Sequence, residues 1–263
     1  MDKNKERPNA IEKSLDILMA FVPDNPELGT MEISKQMGLH KATASRILLT
    51  LARRGFLKQN PKNKKFRLGK SSLLIGKAVV SSIQNGLVKI AKPYVDELCN
   101  DINETIMIEK VIGTTTTLLY VVEGRQRHRI TANVGDCLPV YATAGAKAIL
   151  AFSDPEVTAQ ILSDIDRFSP VTSNTLTNPQ ILLNQLETIR RQGVAFDNEE
   201  FEIGINAVAL PIFNFENKPE AALVVVGPTH RISLTPNTPI IRKAQKAAAN
   251  ISAALMHDRK SQV

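Results

Sequence analysis

Apolar residues recur at intervals of three and four in three short segments near the N-terminus. The first segment, residues 11–21, is predicted to form a helix on this periodicity. Thr30 can cap a second short helix through residue 37, and Gly38 supplies the left-handed residue favoured at a helix C-terminus. A third helix is predicted over residues 41–54, ended by Gly55.

A short hairpin is predicted directly after the third helix. Residues 56–59 and 65–68 have the pattern of two strands, and the turn between them contains Asn60 and Pro61. Three short helices followed by a basic hairpin is the order of elements in a winged helix-turn-helix. The tight turn at Gly38 matches the connection between the two helices of that motif.

The pattern changes after residue 70. Helical stretches are predicted at 71–83 and 87–100, with a break near Asn85-Gly86 between them. Strands rich in Thr, Val and Ile are predicted at 105–112, 115–123, 129–133, 207–215 and 221–226. Helices are predicted at 141–152, 179–192 and 240–256, the second capped by Asn178 or Thr177 with Pro179 at its first position.

Together these elements predict an α+β protein. Strands and helices in runs, with short hairpin connections, favour an antiparallel sheet flanked by helices in the C-terminal part. We therefore divide the chain into a winged helix-turn-helix domain at 8–70, a helical linker at 71–86 and a larger domain at 87–258.

Charge is unevenly distributed along the chain. Residues 1–70 contain 15 Lys and Arg against 7 Asp and Glu, a net charge of +8, whereas the other 193 residues have a net charge of −1. Between residues 33 and 95 there are 14 basic residues and no acidic residue. Because carboxylates would repel phosphate, a long acid-free basic stretch favours a surface that faces a polyanion, although a basic face without a partner or one attracted to anionic lipid is an alternative.

The third helix is the predicted DNA-reading element. A recognition helix presents donors to base edges from its first two turns, where this helix carries Lys41, Thr43, Ser45 and Arg46. Lys and Arg can reach guanine, and Thr and Ser can contact phosphate or bases. The hairpin adds four further basic residues, predicted to meet phosphate or the minor groove: Lys62, Lys64, Lys65 and Arg67.

Other function classes find little support in the sequence. No 18-residue apolar run and no N-terminal apolar signal segment is present, so neither a membrane span nor secretion is predicted. Cys99 and Cys137 fit no zinc or CxxC spacing, which favours two buried thiols in a reducing cytoplasm. GxSxG, Walker, HExxH and GxGxxG motifs are absent, so we expect no catalytic site, metal or cofactor. Glu199 and Glu200 follow Asp197, but as neighbours they are expected to be surface or structural acids.

The chain contains several long motifs that occur in the same order as in the IclR family of transcriptional regulators, which it therefore resembles. The N-terminal motif is SLDILMAF...MEISKQMGLHKATASRILLTLARRGFL...FRLG. The C-terminal motifs are PVYATAGAKAILAF (139–152), TIRRQGVAFDNEE (188–200), GINAVALPIFN (204–214) and AALVVVGP (221–228). The resemblance covers about residues 11–256. It implies a GAF-like sensor domain, homodimers joined largely through the DNA-binding half, often assembled into tetramers, and one small-molecule pocket in each subunit.

The resemblance also implies which residues line that pocket. They come from the segment before and into the Ala-rich helix, the aspartate of the FD element and two strands. Carried over by motif, they are Leu138, Ala144, Gly145, Asp197, Ile205, Ala207, Val224 and Val226. The alternative for each apolar residue is simple core packing.

The chain departs from relatives that bind small carboxylic acids at several of these positions. Ala207 stands where those relatives have Cys, and Val224 and Val226 stand where they have Ser; Ala146 replaces a Gly and Tyr141 a His. A carboxylate buried among valines would lack hydrogen-bond partners, which costs several kcal/mol. We therefore expect an effector more apolar than a two- or three-carbon oxo-acid, such as an aromatic compound or a longer-chain acid.

Two functions from different classes follow from these observations. The first is a cytoplasmic, ligand-responsive regulator that binds double-stranded operator DNA, with repression of a metabolic or catabolic operon as the expected mode. The second is a small-molecule-binding module or enzyme whose basic N-terminal arm serves RNA binding or assembly. A steep loss of DNA affinity with salt distinguishes the first from the second.

Overall fold

The computed structural model describes residues 8–22 and 26–260. The chain divides into two compact units, Met1–Ser82 and Ile83–Val263. The division lies inside the helical linker predicted at 71–86. The α+β fold class is confirmed, with a small N-terminal helix-and-hairpin unit and a larger unit built on an antiparallel sheet.

Four helices and one hairpin make up the described part of the N-terminal unit. In chain order they are α1 (Ala10–Met19), α2 (Thr30–Gln36), α3 (Lys41–Arg53), β1 (Leu57–Gln59), β2 (Phe66–Leu68) and α4 (Lys70–Ile83). The core is small and apolar: Ile17 and Phe21 pack with Ile33, Leu48 and Phe66.

Local chemistry sets the helix ends in this unit. Asn9 caps α1, and its side chain accepts from the Ile11 and Glu12 N–H groups. The prediction that Thr30 caps α2 is wrong, because Gly29 is the cap and the Glu32 carboxylate accepts the Gly29 N–H at 2.5 Å. Gly38 adopts the predicted left-handed conformation, with a φ of 61°.

The break predicted at Asn85-Gly86 is also wrong. Residues Gln84–Val88 form a π-helical turn between α4 and the next helix, α5 (Lys89–Ile102). Gly is tolerated within a helix, and no Pro within the turn removes a backbone donor, so the helical hydrogen bonding continues.

The C-terminal unit contains a six-stranded antiparallel sheet in the order β5-β4-β3-β8-β7-β6. After α5 its elements are β3 (Thr105–Ile112), β4 (Thr115–Val122), β5 (Cys137–Pro139), α6 (Ala144–Phe152), α7 (Pro155–Ser163), α8 (Pro179–Gln192), β6 (Ala195–Asn198), β7 (Ile205–Phe213), β8 (Pro219–Pro228) and α9 (Pro239–Lys260). Helices α5 and α9 pack on one face of the sheet, and α6, α7 and α8 on the other.

Three sequence predictions for this unit need correction. Residues 129–133 form no strand, because the edge of β4 is instead occupied by β5, with Thr116 opposite Leu138. The helix predicted from residue 141 begins at Ala144, after the Thr143 cap. Helix α7 and strand β6 were not predicted at all.

Candidate functional site

Helix α3 separates an apolar face from a polar one. Ala44, Ile47 and Leu48 are buried against the core of the N-terminal unit. Lys41 and Arg46 are exposed on the helix surface, while Thr43 and Ser45 are half-buried at its edge. The four residues predicted to contact DNA therefore lie in the first two turns, and two of them are exposed.

The hairpin presents three exposed cations of its own. Lys62, Lys64 and Arg67 are exposed around the turn between β1 and β2. Lys64 has a left-handed backbone, with a φ of 58°, and donates its N–H to the Asn60 carbonyl at 2.9 Å. This hydrogen bond fixes the tip of the hairpin and with it the position of the exposed cations.

Lys65 differs from the other cations of the hairpin. It is half-buried, and its Nζ lies 2.9 Å from Glu32 Oε1, the carboxylate that also closes the start of α2. The hydrogen bond from Lys65 is the main reason that the pKa of Glu32 is lowered. Lys65 therefore ties the hairpin to α2, an engagement that the sequence did not reveal.

The residues predicted to line the effector pocket share one face of the large sheet. Strand register places Asp197 opposite Ala207, Ala207 opposite Val226, and Val226 opposite Thr105. The neighbouring row on this face contains Val224. The side chains of Ala207, Val224 and Val226 belong to the apolar cluster on the α6 side, to which half-buried Leu138 and Ile205 also contribute.

Helix α6 begins directly over this face. A Cβ placed on Gly145 would lie 3.0 Å from Val224 Cγ2, so the helix backbone approaches β8 as closely as glycine allows. Ala144, next to it, is fully buried in the same cluster. The structure thus brings six of the eight predicted residues into one apolar cluster or contact with it, and Asp197 joins them through its pairing with Ala207.

A buried acid that was not predicted from the sequence lies against these residues. Glu109 on β3 is only 3% exposed, and its Oε2 atom lies so close to Gly145 that a Cβ at this position would clash with it. Burial raises the pKa of Glu109 to about 7, and the negative charge of Asp197 adds to the rise. The Thr116 hydroxyl donates a hydrogen bond to Oε2 at 3.4 Å, and this hydrogen bond lowers the pKa of Glu109 and so offsets part of the rise.

Strand alternation is the signal that could have located Glu109. Met107 and Val111 belong to the cluster on the α6 face, and Glu109 stands between them at period two. An acid at an inward position of a strand is unusual, because a buried carboxyl loses its hydration.

A buried ion pair completes the group of charges. Lys147 on α6 donates to Glu200 Oε1 at 2.6 Å, and the two side chains are 0% and 5% exposed. Asp197 accepts the Glu200 backbone N–H at 2.7 Å, while burial raises the pKa of Asp197 to about 6. Glu200 is therefore a structural acid as expected, but a buried one.

Neither a metal centre nor a membrane span is found among the described residues. No three His, Cys, Asp or Glu side chains in the described part of the chain are grouped as metal ligands. None of the described helices combines the length and apolar character needed to cross a bilayer.

Two family models match the chain. Residues 10–61 match the IclR helix-turn-helix domain, and residues 78–253 match the C-terminal domain of the bacterial transcriptional regulator IclR. The second match alone covers more than half of the sequence, and the family is one of non-enzymatic regulators.

Individual relatives match over nearly their whole length. The chain is 32% identical to the HTH-type transcriptional regulator XynR of Escherichia coli K12, covering 94% of this chain and 96% of that protein. It is 27% identical to the acetate operon repressor of Salmonella typhimurium LT2, covering 93% and 89%. Both alignments include the helix-turn-helix and the sheet domain.

A solved structure supports the same fold. An IclR homologue from Microbacterium hydrocarbonoxydans, in complex with 4-hydroxybenzoate, superposes with a TM-score of 0.70 at 22% identity, covering 94% of this chain and 99% of that one. At this identity the likeness concerns the fold alone.

Proposed function

Since the chain belongs to the IclR family of bacterial transcriptional regulators, we propose that it is a sequence-specific repressor of a metabolic or catabolic operon. Membership of the family makes it a ligand-responsive, DNA-binding regulator. The kind of operon that it controls, and that it represses rather than activates that operon, are what we propose. The acetate operon repressor among its relatives supports repression. In this role the protein acts in the cytoplasm.

The exposed polar face of α3 is the observation that carries the proposal. Lys41 and Arg46 extend from the first two turns of a helix without acidic residues, whose opposite face is buried. A helix anchored in this way can enter a major groove and keep its donors free for base edges. Thr43 and Ser45 flank them, and Lys62, Lys64 and Arg67 on the hairpin are placed to contact phosphate, with Lys65 contributing charge while paired to Glu32.

We propose a domain assignment that follows from these roles. Residues 8–70 bind DNA, residues 71–86 form a linker, and residues 87–258 bind the effector. The effector site is lined by the eight residues carried over from the family motif, Leu138, Ala144, Gly145, Asp197, Ile205, Ala207, Val224 and Val226. Apart from Asp197 these residues are apolar or glycine, which supports an effector more apolar than a two- or three-carbon oxo-acid.

A homodimer is proposed from exposed apolar side chains in the N-terminal unit. Ile11, Leu15 and Met19 form a stripe along α1 at helical spacing, and all three are more than half exposed. Helix α4 carries a second exposed set: Leu73, Leu74, Ile75 and Val79. Contiguous apolar surface of this kind is typical of an interface, and dimers formed there could pair into tetramers.

Sedimentation velocity tests the dimer. Leu15→Ser should shift the protein toward the monomer at micromolar concentration, because it removes apolar area from the stripe. Asp16→Ser, at the neighbouring exposed position of α1, is the matched control and should leave the mass unchanged. A Leu15→Ser variant with the wild-type mass would count against this interface.

Selection from a randomised duplex library tests the DNA-binding function. The wild-type protein should enrich one motif with two related half-sites, because a two-fold symmetric dimer reads two copies of its half-site. Arg191→Ala, an exposed arginine on α8 of the other unit, serves as the control and should enrich the same motif. Failure of the wild-type protein to enrich any motif would overturn the proposal.

A further inference from the structure

Acidic groups outnumber basic ones in the interior beneath α6. Glu109, Asp197 and Glu200 are all buried there, and among the described residues Lys147 is the one buried cation on this face. Lys147 is already paired with Glu200 Oε1 at 2.6 Å. Glu109 therefore has no buried cation beside it, and Asp197 shares the charge of Lys147 with Glu200. Burial is the main cause of the raised pKa values of Glu109 and Asp197, and the charge of Asp197 adds to the rise at Glu109.

Hydrogen-bond acceptors are also in surplus. Glu200 Oε2 is buried without a hydrogen-bond partner among the described residues. Glu109 receives a hydroxyl from Thr116 at 3.4 Å, but that hydroxyl is the same distance from the Lys110 carbonyl and cannot serve both acceptors fully. Buried carboxyl groups with so few donors are costly unless another molecule supplies the missing hydrogens.

The position of Glu109 connects this surplus to the effector site. Its carboxyl group lies against Gly145 at the first turn of α6, and Gly145 is in turn close to Val224 on β8. Both neighbours are among the eight residues assigned to the effector site. A molecule bound in contact with them would meet the Glu109 carboxyl group beside the first turn of α6, next to the capping hydroxyl of Thr143.

We propose that the effector is a neutral or cationic compound that presents hydroxyl or amino hydrogens to Glu109, and that it carries no free carboxylate. This inference rests on the proposed effector site and specifies its ligand class. A donor group would satisfy Glu109 directly, and a cationic amine would also offset the excess negative charge. An anionic ligand would place a fourth carboxylate among three buried ones.

The buried acids also distinguish between the two effector classes expected from the sequence. An aromatic or long-chain body fits the apolar lining, whereas a longer-chain acid brings the wrong charge. An acid could be accepted only if Glu109 took up a proton and donated it in a hydrogen bond. At pH 8.5 both Glu109 and Asp197 are mainly ionised in the free protein, because this pH lies above their raised pKa values. Neither carboxyl group then has a proton to donate to an acid.

Matched compounds on one skeleton test the ligand class. We would titrate three sets at pH 8.5, each built on a skeleton of its own. The aromatic set is 4-hydroxybenzoate, 4-hydroxybenzamide, 4-hydroxybenzyl alcohol and 4-hydroxybenzylamine; the aliphatic set is hexanoate, hexanol and hexylamine; the polyol set is gluconate, sorbitol and glucamine. Thermal shift reports binding, because a ligand of the folded state raises the midpoint. At least one non-anionic member should bind, and the acid on its skeleton should bind at least tenfold more weakly.

Glu109→Gln tests the role of the carboxylate. The substitution should weaken the binding of the non-anionic compounds about tenfold or more. It should also reduce the difference in affinity between each acid and the non-anionic compounds on its skeleton. Glu220→Gln changes a partly exposed acid on β8 that is paired with Lys110 and is not among the eight residues assigned to the effector site; it is the matched control and should leave all affinities unchanged. Three results would each overturn the inference. They are preferential binding of acids to the wild type at pH 8.5, no binding by any non-anionic compound, and affinities in Glu109→Gln that equal those of the wild type.

A measurement on the wild type alone covers the case in which Glu109→Gln does not fold. Calorimetry at pH 7 in two buffers of different ionisation enthalpy should show proton release when a donor compound binds, because binding favours ionised Glu109. Proton uptake would contradict the inference. Duplex binding by the same preparation separates the two proposals: intact DNA binding with a failed ligand test refutes the ligand class, whereas absent DNA binding refutes the proposed function.

Discussion

The two units of this protein use charge in opposite ways. In the N-terminal unit, Lys41, Arg46, Lys62 and Arg67 are exposed around a small apolar core. In the C-terminal unit, which is nearly neutral in sequence, four charged groups lie inside the fold beneath α6. Exposed charges keep their hydration and are available to a polyanion at little cost to stability, whereas buried charges must be compensated within the fold.

This difference indicates which residues of each unit are candidates for binding a partner or a ligand. The exposed cations form a surface for a large partner of opposite charge, and they need little from the rest of the fold. The buried acids lower the stability of the unit that holds them, and the proposed role of Glu109 in binding the effector gives one of them a function that offsets this cost. Each unit contains one Lys–Glu salt bridge that allows a direct comparison. Lys65–Glu32 in the N-terminal unit is partly exposed, whereas Lys147–Glu200 in the C-terminal unit is buried.

The largest effect is expected from breaking the buried pair. Lys147→Met leaves Glu200 and Asp197 without their cation, and loss of one partner of a buried pair costs about 3–5 kcal/mol. Urea unfolding followed by circular dichroism should show this loss in the C-terminal unit. Lys147→Met combined with Glu200→Leu should recover most of it, because no uncompensated charge remains. A loss below about 1 kcal/mol in the single variant would show that water reaches the pair.

The second effect concerns the pH dependence of stability. The folded-state pKa of Glu109 is raised from 4.5 to about 7, so the folded protein holds a proton that the unfolded chain has lost. Stability is therefore highest below pH 4.5 as far as this group is concerned, and it falls as pH rises to about 7. Glu109→Gln should remove this loss and be more stable than the wild type at pH 8 by on the order of 2–3 kcal/mol.

Urea unfolding at pH 5, 6, 7 and 8 measures this difference. The gap between Glu109→Gln and the wild type should widen with pH up to about 7 and then level off. Asp197, whose pKa is also raised, remains in both proteins, so the difference reports Glu109 together with its electrostatic coupling to Asp197. A gap that does not change with pH would contradict the buried, ionisable state of Glu109.

The third effect lies on the exposed surface. Arg46→Ala should weaken binding to the selected DNA motif by about 1–3 kcal/mol, because alanine cannot donate to a base edge, and should weaken binding to random duplex less. Fluorescence anisotropy at fixed salt measures both affinities. Equal losses on the two duplexes would instead show that Arg46 binds phosphate.

The smallest effect is expected at the exposed pair. Glu32→Gln breaks the contact with Lys65, but the two side chains are 39% and 49% exposed and reach solvent, so stability should change by less than about 1 kcal/mol. Because the amide still carries an oxygen, it can accept the Gly29 N–H and preserve the start of α2. A loss comparable to that of Lys147→Met would remove the distinction between the two units.

Sequence patterns predicted the exposed unit well because its signals are local. Helical spacing, Gly38 at a helix end and the run of basic residues each depend on a few neighbouring residues. The resemblance to the family supplied the residues proposed to line the effector site, since its motifs are continuous in sequence. The bounds of β3 and α8 also follow from local pattern and capping residues.

The buried charges could not be predicted in the same way. Lys147 and Glu200 are 53 residues apart, and only the packing of α6 beside β6 brings them together. Glu109 meets Gly145 through sheet register and helix packing, which local periodicity does not encode. For the same reason local pattern predicts a strand at 129–133, a segment with suitable residues whose place at the sheet edge is taken by β5.

The salt dependence of duplex binding by the full-length wild-type protein tests the central claim most directly. With several phosphates neutralised by α3 and the hairpin, the logarithm of affinity should fall with the logarithm of salt concentration at a slope of about −5 or steeper. Lys62→Gln should make that slope shallower by about 1, because one phosphate fewer is neutralised. Affinity that is negligible at low ionic strength, or that does not change between about 50 and 200 mM salt, would contradict a DNA-binding role for this surface.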